Sequence, residues 1–193
     1  DDCGMLYWKN NGTTVEEPRW VGDDIRRLTP VIVEDWMGEY EYNLVDGCIC
    51  TAEITKVSPS GKWIATTYRK EEVGSDGFIA YVQRPAFYNT ETEKTVIVKD
   101  YGASGGKFAT DDGIAFIGIG TFGVSTGRVY DLNTGIDLGS TQEWVYNNYG
   151  IIIPYGYINY ITADGSVMLG TSAQESAMGI SFIKWYIAPP LEK

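Results

Sequence analysis

The chain has 193 residues, enough for one domain with a sizeable core. Fifteen Lys and Arg face 26 Asp and Glu, and a net charge of −11 argues against nucleic acid and anionic membrane surfaces as partners. There is no His, which removes Ser-His-Asp and Cys-His catalysis and imidazole-ligated metals from this chain. No apolar run reaches 18 residues, so no membrane-spanning helix is expected. Twenty-three Gly and 14 Tyr point to tight turns and strands, hence to an all-β class.

The chain starts at Asp1 with neither an initiator Met nor a signal peptide, which suggests a mature or trimmed fragment. Residues 4–18 read as a hairpin: Gly4 to Asn10, a turn at Asn11-Gly12, then Thr13-Thr14-Val15. Asn11-Gly12-Thr13 also fits a glycosylation acceptor, but the turn reading is preferred. Residues 19–50 fit no repeat and read as an insertion or connection. They hold Arg19, Trp20, Asp23, Asp24 and an acidic aromatic cluster from Glu34 to Asn43. That cluster could stack on a sugar or hold Ca²⁺ through its oxygens. The preferred reading is a solvated surface with an extra strand from Asp46 to Ile54.

Cysteines stand at 3, 48 and 50. Cys48 and Cys50 share one strand face, where a bridge between them would be strained, so Cys3 could pair with either. Buried free thiols are as good a reading. Zinc is not expected, with three Cys, no His and no Cys-x-x-Cys spacing, and no other cofactor is implied.

Beyond residue 50 a period emerges. Ser58-Pro59-Ser60-Gly61, Thr110-Asp111-Asp112-Gly113 and Thr162-Ala163-Asp164-Gly165 are turns between β-rich segments, and their glycines are 52 residues apart. A second hairpin follows in each unit, through Tyr88-Asn89-Thr90, through Asp131-Leu132-Asn133-Thr134-Gly135, and over Ile180 to Ile187. Two hairpins per unit make four antiparallel strands, the layout of a propeller blade. Asp112 and Asp164 are expected to bond local backbone N–H groups.

Ser58-Pro59-Ser60-Gly61-Lys62-Trp63-Ile64-Ala65 resembles the "SPDGKxIA" signature of Tol-associated, WD-like propeller repeats, with Ser60 where Asp is usual. Tyr130 to Gly135 is similar to the "YDLxTG" turn of that group. Ile161 to Gly170 resembles the "ISADGSxxVG" of HAF-type extracellular repeats. The sialidase Asp-box fits poorly, because it places one residue between Asp and Gly. The resemblance implies a single β-propeller-like segment: a half blade at 4–18, blades at 51–102 and 103–154, and a final partial blade at 155–193. Such a count cannot close alone, so missing blades or a second chain would complete the ring.

The function expected is a non-catalytic binding or scaffold propeller of a secreted, periplasmic or cell-surface protein, with a glycan or protein ligand. Rival readings are part of a glycan-active hydrolase working through carboxylates, and a purely structural module. Trp36 and Tyr40 in the insertion, with Trp144 and Tyr149 between the second and third units, are the candidate ligand-binding residues. For the second pair, packing between neighbouring blades is the commoner explanation.

Overall fold

A computed structural model describes residues 4–10, 12–35, 37–50, 56–74, 78–102, 104–121, 124–176 and 179–188. Strands dominate, and every pairing is antiparallel. β1 (Leu6–Tyr7) and β2 (Arg19–Trp20) form a short N-terminal ladder. An isolated bridge joins Asn10 to Val15 within it, and the Gly12 N–H donates to Asn10 Oδ1 (2.8 Å). This is the expected turn, although Asn11 itself lies outside the described residues.

The stretch read as an insertion contains a hairpin, β3 (Leu28–Asp35) with β4 (Gly38–Val45), paired along its whole length. The extra strand exists as β5 (Cys48–Cys50). Its expected continuation to Ile54 lies outside the described residues. Cys48 is disulfide-bonded, through a partner whose side chain also lies outside them.

Three sheets follow. In the first, β5 and β6 (Lys56–Val57) pair with successive parts of β7 (Trp63–Val73), which continues through β8 (Ile79–Asn89) to β9 (Lys94–Ile97). The second is a four-stranded meander of β10 (Ser104–Ala109), β11 (Ile114–Thr121), β12 (Val124–Asp131) and β13 (Ile136–Ser140). A helix, α1 (Thr141–Tyr149), leads to the third, which has three strands among the described residues: β14 (Tyr157–Ile161), β15 (Met168–Ser176) and β16 (Gly179–Ile187).

The sheets stack face to face because alternate residues of each strand are apolar on both sides. Ala115 and Ile117 of β11 meet Trp63, Ala65 and Phe87 of the first sheet. Phe116, between them, points the other way and packs with Phe108, Val129, Ile158, Ile161 and Met168. The far side of the first sheet is covered by Val21, Met5 and Tyr7, which pack on Ile64, Ala86 and Tyr88. Each fully buried Phe contributes about 1.5–3 kcal/mol relative to exposure.

The stack is not a set of parallel plates. Lys56 on β6 donates to the carbonyl (3.2 Å) and side-chain oxygen (2.9 Å) of Asn159 on β14. The first and third sheets therefore touch at their leading strands although the second lies between them. β6, β10 and β14 converge, and Gly106 lets β10 lie close against β7: a Cβ there would lie 2.9 Å from the Thr66 carbonyl oxygen.

Candidate functional site

The site is built from the three repeated turns. Gly61, Gly113 and Gly165 have φ of +82°, +92° and +71°, a region that favours glycine. Each glycine N–H closes its turn on the carbonyl of Ser58, Thr110 or Thr162, at 2.8, 3.0 and 2.9 Å. Each of those residues then uses its hydroxyl oxygen to accept from the strand that follows. Ser58 accepts from Trp63, Thr110 from Ile114 and Thr162 from Val167, all at 3.0 Å. The sequence repeat is thus a repeat of hydrogen bonds. The 52-residue spacing holds only here, however. The second turns, opened by Asn89 and Asp131, are 42 apart, mostly because β7 and β8 are 11 residues long and β11 and β12 only 8, the rest lying in the connections.

The two aspartates singled out in these turns behave differently. Asp164 accepts from the Ser166 N–H (3.1 Å), as expected, and from the Thr162 and Ser166 hydroxyls. These bonds hold its carboxyl down to a pKa of about 2. Asp112 takes a short hydrogen bond from the Thr110 hydroxyl instead of a backbone N–H. Asp111 ties two turns together by accepting from the Ser60 N–H (3.0 Å) and hydroxyl (2.6 Å). Burial opposes its ionisation, but these hydrogen bonds prevail and lower its pKa.

Beside the turns lies α1, where the sequence predicts only a connection. Its start is written in Ser140-Thr141-Gln142-Glu143, a capping box in which Ser140 Oγ accepts from the Glu143 N–H (3.2 Å) and Glu143 accepts from the Ser140 N–H (3.0 Å). Its end is Gly150, with φ +67°. Val145 anchors the helix in the core with Phe116 and Ile158. The Trp144 ring stands edge-on to Phe116, with centroids 5.2 Å apart, and the Tyr149 ring is 5.8 Å beyond Trp144.

Turns and helix enclose a cleft of about 870 Å³. Pro59 comes from the first turn, Asp111 and Asp112 from the second, and Thr162 to Gly165 from the third. Trp144, Asn147, Asn148 and Tyr149 form the helical wall. Among the described residues no Lys or Arg lines it. Asn148 donates its amide N–H to the Trp144 carbonyl (2.8 Å). Burial and the nearby Asp112 carboxylate raise the Tyr149 pKa. The wall thus offers an aromatic pair, carboxylates, amides and one phenol. Among the described residues no cluster of His, Cys, Asp or Glu could hold a metal ion.

The structure brings together two of the four candidate residues, Trp144 and Tyr149. Tyr40 is on β4, 41% exposed, and lines none of this cleft. Trp36 lies outside the described residues. The β3–β4 hairpin carrying Tyr40 is fastened to the first sheet by a buried carboxylate. Glu71 accepts from the Tyr42 hydroxyl (3.1 Å), the Val45 N–H (3.1 Å) and Arg69 (3.0 Å). Comparison with known proteins gives no match, whether to family models, curated proteins or solved structures.

Proposed function

We propose that this chain is a non-catalytic binding segment of β-propeller type, acting outside the cytoplasm, and that its turn-face cleft takes a glycan. The convergence of β6, β10 and β14 supports the propeller reading, because sheets arranged about an axis approach one another at their first strands. The disulfide at Cys48 supports an oxidising compartment.

One observation carries the ligand reading: Trp144 and Tyr149 stand together in a cleft whose charged groups are carboxylates only. Pyranose rings present an apolar face to stack on aromatics and hydroxyls that donate to carboxylates and amide oxygens. An anionic ligand would meet Asp111, Asp112 and Asp164, with Lys62 beside Asp111 lying outside the lining.

The test is a glycan array, followed by titration of the best ligand into the wild type and into Tyr149→Ala and Tyr40→Ala. Tyr149→Ala is expected to weaken binding about tenfold or more, as truncation of an anchor does, and Tyr40→Ala to leave it unchanged. Absence of any glycan ligand would retire the sugar reading. Loss of binding only in Tyr40→Ala would move the site to the β3–β4 hairpin.

A further inference from the structure

The stretch outside the repeat makes a cavity of its own. About 600 Å³ of space lies where the β3–β4 hairpin meets β7 and β8 of the first sheet. That volume suits a small organic ligand. Glu71 lines it and is only 4% exposed. Its carboxylate holds the Tyr42 hydroxyl and the Val45 N–H of the hairpin, both at 3.1 Å. The hairpin is therefore pinned to the sheet at this cavity, and the cavity is formed before any ligand arrives.

Its charges are balanced unevenly. Arg69 donates to Glu71 at 3.0 Å, so these two compensate each other. Arg26 lines the same cavity, is exposed, and stands 5.2 Å from the Trp20 ring centroid. Among the described residues no carboxylate pairs with it. Glu41 also lines the cavity. The Tyr81 ring lies 3.9 Å from the Arg69 guanidinium and is 59% exposed, so it is backed by a cation and open to a ligand. Leu28, 58% exposed, adds an apolar surface.

We propose that this cavity is a second binding site, and that it takes a small ring-bearing monocarboxylate. The carboxylate pairs with Arg26, whose planar guanidinium matches it in charge and in hydrogen-bond geometry. The ring of the ligand lies on Tyr81 and Leu28. A phosphate dianion fits less well, because Glu41 and Glu71 on the same lining repel its second charge. The site is independent of the glycan reading, since this cavity shares no lining residue with the turn-face cleft.

Ligand-observed NMR titration of the intact chain with benzoate, glucuronate and inorganic phosphate tests this. At least one of the two carboxylates is expected to saturate with a dissociation constant of about 1–10 mM, as ligands this small do. Which one binds more tightly tells an aromatic body from a sugar ring. Arg26→Gln changes an exposed side chain and should weaken that binding about tenfold. Arg27→Gln removes the same charge one residue away, outside the lining, and should leave binding unchanged. Tyr149→Ala, in the other cleft, should also leave it unchanged. Thermal melts of the variants beside the wild type separate lost binding from lost folding. Absence of saturation by either carboxylate up to about 50 mM would overturn the proposal. So would equal losses in Arg26→Gln and Arg27→Gln, loss in Tyr149→Ala, or phosphate binding as tightly as the better carboxylate.

Discussion

Glu93 is the one described non-glycine residue with positive φ, at +57°, and it stands where the equivalent turn has Gly135 at +75°. Both turns close on the same bond, Glu93 N–H to the Asn89 carbonyl and Gly135 N–H to that of Asp131. A left-handed L-residue costs roughly 1–2 kcal/mol, while glycine returns part of that as chain entropy. Glu93 also pairs with Arg19, but both side chains are about half exposed, so little is lost with the pair. Glu93→Gly is therefore expected to stabilise by roughly 0.5–1 kcal/mol in urea unfolding, and a destabilised variant would show that the ion pair outweighs the strain. Acid sensitivity also belongs to single residues. Asp111, Asp131, Asp137 and Asp164 all have lowered pKa values in the folded chain. For Asp137 burial pushes the other way, but hydrogen bonds from Tyr101, Arg128 and the Gly139 N–H prevail. Carboxylates with depressed folded pKa values contribute fully above their unfolded value of 3.8, and the contribution disappears as pH falls through the folded values, for Asp164 about 2. Melting temperature should thus hold above about pH 5 and drop between about pH 4 and pH 2, and a flat profile through that window would refute the assignment.

Helix α1 shows what an element adds to the site. It presents Trp144 and Tyr149 to the cleft only because Val145 is fixed in the core and Ser140 caps the first turn. Ser140→Ala should cost about 1 kcal/mol of stability, measured by thermal unfolding, since the cap then leaves helix donors unpaired. Trp144→Ala should cost more, about 3 kcal/mol, because its ring leans on Phe116 as well as facing the cleft. The contrast with the exposed Tyr149 separates packing from binding. The strands around the three turns were legible because glycines at fixed offsets and hydroxyls at the turn starts leave a strong local pattern. The helix was hidden by its composition. Trp, Val, Tyr and Asn fill Trp144 to Tyr149 and argue against a helix, and only the Ser140 to Glu143 box and Gly150 mark it. The β3–β4 hairpin was hidden for another reason. Its exposed strand faces carry Glu and Tyr, which read as surface, and it is fastened by Glu71, a contact made 26 and 29 residues away that no local pattern records. The cleft itself was half legible. Its aromatic wall could be picked out from sequence, but its floor of turns joins residues about 50 and 100 positions apart.

At the scale of the molecule, the account rests on successive sheets stacking in one sense, so that turns distant in sequence become neighbours. Everything said of the cleft depends on this, because its lining comes from three separate turns and α1. The stacking itself is tested most directly by a cross-link across the first two turns, where Ser60 Oγ lies 2.6 Å from Asp111 Oδ1. Ser60→Cys combined with Asp111→Cys, oxidised mildly and mapped by peptide mass, is expected to yield a peptide linked between positions 60 and 111. Ser60→Cys combined with Glu143→Cys should yield none. Failure of the first pair to link, in a variant that melts as the wild type does, would contradict the stacked-repeat account.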